Sequence, residues 1–166
     1  MRPNRRCFLA LLGASLPARA GKGQVYPSDR RRYADPSTEF EVLRLTDSAY
    51  SSFLPCPLGG AVSRRGNYLV YSSDRGGSWQ LFRMDLKTGE SRQLTEWREL
   101  DPKSVTLAAD ERTVYGLDGQ ALRAVDAGSL RERQVYAIPK GFEAVPGLAV
   151  SGDGLHVVLA ERSGER

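Results

Sequence analysis

From residue 40 onward the chain is built of short apolar and alternating runs, each cut off after four to six residues by Gly, Asp, Ser or Asn. Tyr68-Leu69-Val70-Tyr71 is one such run, followed by the polar turn Ser72–Ser78. Gln80–Asp85 comes next, with apolar side chains at Phe82 and Met84 two residues apart, and then Lys87-Thr88-Gly89-Glu90 leads into Ser91–Thr95. Runs of this length, bounded by turn residues and with a period of two, predict strands rather than helices.

The same order recurs. Thr113–Leu117, the turn Asp118-Gly119, Ala121–Asp126 and Glu132–Tyr136 repeat it, and Leu155–Ala160 begins it a third time. Ser63-Arg64-Arg65-Gly66, Ala108-Ala109-Asp110-Glu111 and Ser151-Gly152-Asp153-Gly154 mark the three starts, a spacing typical of propeller blades. Asp85 and Asp126 close equivalent strands, and Arg92-Gln93 matches Arg133-Gln134. The predicted fold is therefore all-β: a β-propeller of four-stranded antiparallel blades, incomplete at about two and a half blades. Residues 63–96 and 108–139 are read as blades and 151–166 as the start of the next. Phe40–Asp47 resembles Glu90–Glu96 and reads as an orphan fourth strand, which a ring closed by its N-terminus requires. Residues 21–39 read as a linker. A simple duplicated meander is the alternative architecture.

The N-terminus changes the picture of charge and location. Arg2, Arg5 and Arg6 precede the apolar stretch Cys7–Leu16, and Ala18-Arg19-Ala20 fits a small-x-small cleavage site. Residues 1–20 are thus read as an export signal. Arg5-Arg6 followed by Phe8-Leu9 gives it a twin-arginine-like character, and an ordinary secretory signal is the alternative. The stretch is too short to span a bilayer, and no stable membrane anchor is expected. The predicted location is periplasmic or secreted.

The formal charge is +4. Residues 1–32 carry eight Lys or Arg against one Asp, so the remainder is net negative. With no basic stripe in the repeats, nucleic acid is excluded as the main partner. Arg30-Arg31-Arg32 reads as a solvated tether.

Chemistry-bearing residues are sparse. Cleavage of the signal removes Cys7 and leaves Cys56 as the single thiol, read as a packed loop residue. His156 is the only histidine, so neither a His-carboxylate-Ser triad nor a two-His metal motif can be assembled from this sequence. His156 alternates with Leu155 and Val157, which makes it a candidate for lining the central channel if that run is the first strand of a blade. Ser72–Trp79 matches the Asp-box pattern Ser-x-Asp-x-Gly-x-Ser-Trp and is read as a structural turn. Trp97 is read either as cover for a seam between blades or as a platform for a sugar ring. Tyr26, Tyr33 and Tyr50 are read as anchors of the N-terminal segment.

Gly21-Lys22-Gly23, Tyr33-x-Asp35-Pro36-Ser37-Thr38 and Glu41–Thr46 resemble the opening of the oligogalacturonate lyase family, within the wider TolB-like propeller group. Asp85–Glu90 followed by Gln93–Glu96 is similar to the first blade of that family. The resemblance runs over roughly residues 21–139. It implies a seven-bladed propeller and a carbon–oxygen lyase acting on pectin-derived oligogalacturonate. The reaction it implies is β-elimination, in which a base takes the proton α to a carboxylate with a divalent metal, usually manganese, assisting. It places the metal ligands and the base on later blades, so no catalytic or metal-binding residue is assigned here.

Two departures stand out. Phe40 occupies the place of a family Gly after Thr, with Glu39 read as inserted, and Ser48–Ser52 replaces a stretch that carries His. A non-catalytic TolB-like propeller for protein interaction and the gating propeller of a serine peptidase remain open as other classes. By itself the piece is expected to be inactive and prone to self-association through open sheet edges.

Overall fold

The computed structural model describes residues 21–55 and 60–163. The predicted signal, with Arg5, Arg6, Phe8, Leu9, Ala18 and Ala20, lies outside the described residues, as does Cys56. The described residues form thirteen strands and no α-helix. In chain order the first seven are β1 (Val25–Tyr26), β2 (Arg31–Ala34), β3 (Glu41–Arg44), β4 (Ser52–Phe53), β5 (Tyr68–Ser73), β6 (Gln80–Asp85) and β7 (Ser91–Gln93). They are followed by β8 (Leu100–Leu107), β9 (Thr113–Asp118), β10 (Ala121–Asp126), β11 (Glu132–Ala137), β12 (Phe142–Val150) and β13 (Val157–Ser163).

All pairings are antiparallel. The first blade has the order β1-β7-β6-β5-β4 and the second β11-β10-β9-β8, while β12-β13 and β2-β3 are two-stranded. This is the propeller architecture that the repeat predicts, with one correction to its boundaries. The turns at 63, 108 and 151 join the first strand of a blade to the second, so each blade begins one strand earlier than the repeat suggests. The innermost strands β8 and β12 escape the alternation rule because each breaks it with a Pro. Register shifts fall between Leu100 and Val105, across Pro102, and between Val145 and Ala149, across Pro146. Pro cannot donate to a ladder and is tolerated at such irregular sites on an edge strand.

Burial follows the strand period. On β5, Tyr68 and Val70 enter one apolar cluster with Leu81, Leu94, Trp97, Val105, Val114 and Val125, which forms the seam between the first and second blades. Leu69 and Tyr71 point to the opposite face, beside Phe82, Met84, Tyr26 and Leu45. The second blade repeats the division: Tyr115, Leu117, Leu122 and Ala124 meet Leu148, Ala144, Val157 and Leu159 of the third. Both faces of the first blade are thus apolar, and all six residues of β5 are buried.

The turns are as periodic as the strands. At each start of the repeat the chain closes with the same backbone bond: Gly66 N–H to Ser63 O at 2.8 Å, Glu111 to Ala108 at 3.0 Å, and Gly154 to Ser151 at 2.8 Å. The donor residue has positive φ in all three, at 67°, 56° and 73°. A second device closes the outer hairpins. The Asp85 carboxylate accepts the amides of Lys87 (2.8 Å) and Thr88 (2.9 Å), and Asp126 accepts those of Gly128 (3.0 Å) and Ser129 (2.6 Å).

Asp35 does the same with Ser37 and Thr38, both at 2.9 Å. The residue four after each Asp donates its amide back to the Asp carbonyl and has positive φ: Glu39 (59°), Gly89 (81°) and Leu130 (62°). Glu39 is therefore no insertion; it occupies the position that Gly89 fills in the first blade. The orphan strand at 40–47 is corrected as well. Its central part, β3, pairs residue for residue with β2, from Arg31↔Arg44 to Ala34↔Glu41. Part of the supposed linker and tether is thus a strand.

An L-residue with left-handed φ is strained by its Cβ. Glu39 is exposed, so Glu39→Gly removes that strain without loss of packing and is expected to raise stability by about 0.5–1 kcal/mol, read as a higher thermal midpoint. Leu130→Gly is expected to lower it, because Leu130 also packs on the first seam. The turn carboxylates give a pH signature. The amide of Ser129 foremost holds the Asp126 carboxyl down at about 2, from 3.8, and the Thr38 amide foremost lowers Asp35. A depressed folded-state pKa stabilises above the unfolded value and is lost as pH falls through the folded one. The urea midpoint is therefore expected to be flat above pH 5 and to fall between about pH 4 and 2. Asp126→Asn should shallow that fall.

Candidate functional site

In a propeller the innermost strands surround the channel, so the residues of β4, β8 and β12 are where a ligand of the complete ring would be met. The bulged stretch of β8 is fixed from three sides. Asp101 accepts the Lys103 amide at 3.0 Å and the Ser104 hydroxyl on its other oxygen. Ser104 Oγ in turn accepts the Gly147 amide of β12 at 2.8 Å, and Ser72 Oγ donates to Pro102 O at 2.7 Å. These bonds tie the innermost strands β8 and β12 to each other and β8 to β5 of the first blade.

Next to Lys103, whose ammonium lies 5.7 Å from the centre of the Phe53 ring, Phe53 packs on Trp79 at 5.4 Å. On the other side of β8, a cavity of about 300 Å³ is lined by Glu99, Asp101, Leu117, Gly119, Gln120, Glu143 and Ala144. Two of its carboxylates are engaged within the blades: Asp101 as above, and Glu143 with Arg162 at 3.0 Å. A second cavity, of about 320 Å³, lies at the opposite ends of the same strands, between the turns that carry Arg64, Glu111 and Ser151.

The sequence candidates fall as follows. His156 is exposed and precedes β13, which is the second strand of its blade and not the first. Its amide donates to Ser151 Oγ at 2.9 Å and its carbonyl accepts from Ser151 N at 2.9 Å, the register positions held by Tyr68 and Thr113 in the preceding turns. This corrects its placement on a channel-lining strand.

Trp97 is 4% exposed within the seam between the first two blades, which settles it as a packing residue. The ring presses on Gly116 so closely that a Cβ there would lie 2.8 Å from it. A buried polar network anchors the backbone on either side of Trp97. Gln80 Nε2 donates to Trp97 O at 2.7 Å, Trp97 N to Gln80 Oε1 at 2.8 Å, and Thr95 Oγ1 to Gln80 Oε1 at 2.9 Å.

Asp74 of the Asp-box pattern accepts the Ser51 amide at 2.9 Å, across to the segment leading into β4, and so ties two strands together. Tyr26 lies under Arg75, whose guanidinium is 4.2 Å from the ring centre and ion-paired with Asp29 at 2.9 Å. Among the described residues no group of three His, Cys, Asp or Glu side chains converges to hold a metal ion.

The family model for oligogalacturonate lyase matches residues 20–162. The chain is 28% identical over 119 residues to an oligogalacturonate lyase of Dickeya dadantii and 26% identical to an oligogalacturonide lyase of Pectobacterium atrosepticum, covering 71% of this chain each time. It spans 31% of the length of these two relatives. A solved oligogalacturonate lyase in complex with manganese superposes with a TM-score of 0.83 at 27% identity, over 88% of this chain and 39% of that one. The solved oligogalacturonate lyase of Vibrio parahaemolyticus (TM-score 0.80, 22% identity, 86% of this chain and 38% of that one) shares the fold.

Trp97→Ala is expected to cost about 3–5 kcal/mol of unfolding free energy in urea, the range for a large aromatic lost from a tight core. Trp97→Phe should recover much of that loss, whereas a residue serving only as an exposed sugar platform would leave the urea midpoint unmoved.

Proposed function

The chain belongs to the oligogalacturonate lyase family, and on that premise we propose that it supplies the opening blades of an exported propeller that cleaves pectin-derived oligogalacturonate by β-elimination. The observation that carries the reading is the family match over residues 20–162, joined to the superposition on a manganese-bound lyase at 27% identity. In the proposed reaction a base removes the proton on the carbon α to the uronate carboxylate. The C–O bond at the β carbon breaks, a C=C bond forms, and the departing oxygen takes up a proton.

The described residues do not fit a manganese site. His156 is exposed in a turn, and no third donor converges with any pair of His or acidic side chains. No step through a metal is therefore derived for this chain, and the proposal places base and metal ligands on blades outside it. The chain's own part is to hold innermost strands in register. The Asp101–Ser104–Gly147 bonds and the Gln80–Trp97 network fix the segments on which the rest of the channel is built. The proposal includes delivery across the inner membrane by the twin-arginine-like signal read at residues 1–20.

The test is mass spectrometry of digalacturonate incubated with the complete lyase polypeptide, with and without added manganese. Elimination gives products whose masses sum to that of the substrate, one of them unsaturated, whereas hydrolysis adds one water. The expected result is elimination that depends on manganese. Hydrolysis, or no turnover in either condition, overturns the proposal.

A further inference from the structure

Of the three innermost strands, β4 carries no charged side chain, β8 carries Asp101 and Lys103, and β12 carries Glu143. Both carboxylates are engaged, Asp101 by the Lys103 amide and the Ser104 hydroxyl, Glu143 by Arg162. Lys103 is exposed, and none of the ion pairs among the described residues includes its ammonium. These three strands therefore present one uncompensated charge, and it is positive.

What the ammonium does meet is an aromatic pair of the first blade. Phe53 of β4 stands opposite Ser72 of β5, and Ser72 shares a face with Tyr68 and Val70, the face turned toward the second blade. Trp79, two residues before Leu81, packs on the same cluster. Lys103 reaches back across the seam to lie 5.7 Å from the centre of the Phe53 ring, and the rings of Phe53 and Trp79 are 5.4 Å apart at 44°. Trp79 is partly buried, whereas Phe53 keeps 39% of its surface open.

The backbone beneath Lys103 is fixed on both sides. Ser72 Oγ donates to the Pro102 carbonyl at 2.7 Å, and Ser104 Oγ accepts the Gly147 amide at 2.8 Å. Asp101, the nearest carboxylate in sequence, is committed to the bulge itself, and Glu99 lines the cavity on the other side of β8.

A cation–π contact at an exposed position is weaker than a charge-assisted hydrogen bond to a carboxylate, so the Lys103 ammonium keeps its donors for an anion. A single ammonium supplies one charge, which matches a carboxylate better than a phosphate group, whose oxygens call for several donors. The open part of the Phe53 ring, beside it, offers apolar surface to the C–H face of a sugar. Together the two match one uronate ring, which carries a single carboxylate next to such a face.

We propose that Lys103, Phe53 and Trp79 form a subsite for one uronate ring. The Lys103 ammonium donates to the carboxylate, and Phe53, backed by Trp79, packs against the C–H face. Lys103 is a binding residue that selects an acidic over a neutral sugar and takes no part in the elimination. The inference rests on the reading of the substrate as oligogalacturonate and deepens it by assigning residues of this chain to one of its rings.

The test is calorimetric titration of the complete lyase polypeptide, in EDTA, with digalacturonate and with its dimethyl ester, which keeps both rings and removes both charges. Lys103→Met is expected to weaken binding of the acid about 10-fold and to leave that of the ester within about twofold. Lys103→Arg should bind the acid as the unaltered protein does, and Phe53→Leu should weaken acid and ester alike. Because Lys103 is exposed, Lys103→Met is expected to keep the thermal midpoint within about a degree. With manganese added, the same variant should raise KM for digalacturonate about 10-fold at unchanged kcat.

Unchanged affinity for the acid in Lys103→Met overturns the subsite. So does equal weakening of acid and ester in that variant, or no measurable binding of either ligand to the unaltered protein. Charge-selective binding through Lys103 without elimination would instead sink the proposed reaction and leave the subsite standing. Elimination with an unchanged KM in Lys103→Met does the reverse.

Discussion

The structure depends on a single constraint: a blade of short antiparallel strands is apolar on both faces and cannot cover either by itself. Each strand of the first blade sends alternate side chains to opposite seams, Tyr68 and Val70 to one, Leu69 and Tyr71 to the other. Burial is therefore a property of neighbours, and it grades along the chain. The first blade, covered by the second and by the N-terminal segment, has every residue of β5 buried. The third blade has a first strand that is mostly exposed. The largest apolar exposures, at Phe40, Leu155 and Val158, fall on the hairpin and on the third blade. Repeat architectures behave in this way because stability is carried by the interfaces between units.

Within that constraint the turns set the register and the seams set the spacing. Three copies of an Asp-anchored outer turn and three copies of the inner turn place strands at matching heights, so side chains of successive blades interdigitate at the same levels. Where the repeat tolerates a departure, a local compensation stands beside it. Leu130 accepts a left-handed backbone at the place of Gly89, and its side chain packs into the first seam. Gly116 interrupts the otherwise β-prone run of β9 because Trp97 needs the space that a Cβ would fill. The Gln80 side chain, wholly internal, satisfies the two backbone groups that Trp97 would otherwise leave unpaired in an apolar seam.

Legibility from sequence follows the same physics. The second, third and fourth strands of each blade could be read because they alternate and end in Asp or Gly turns. Innermost strands could not, since Asp101-Pro102-Lys103-Ser104 and Val145-Pro146-Gly147 resemble loops, and only the bonds among Ser104, Gly147, Asp101 and Ser72 make strands of them. Arg30-Arg31-Arg32 reads as a solvated tether for a related reason, although its last two residues open β2. All four side chains of β2 are solvated, and what makes it a strand is pairing with β3 across the Asp35 turn. Glu39 reads as an insertion against the family pattern, whereas the i+4 geometry of the turn imposes positive φ on whichever residue stands there. For His156, alternation over Leu155–Ala160 starts the strand too early, since β13 begins at Val157. With the first strand hidden by its loop-like sequence, the run reads as first in its blade instead of second.

The site was the least legible part, and the cause lies in how a ring distributes its chemistry. Innermost strands of all blades converge on one channel, so donors that act together can lie hundreds of residues apart in sequence, and an opening segment need hold none of them. What such a segment must provide is position. Closing a ring through a segment near the N-terminus costs the entropy of bringing the ends of a long chain together, but that cost grows only with the logarithm of length. The β2–β3 hairpin follows β1, which with Arg30 and Arg75 ties the N-terminal segment to the first blade.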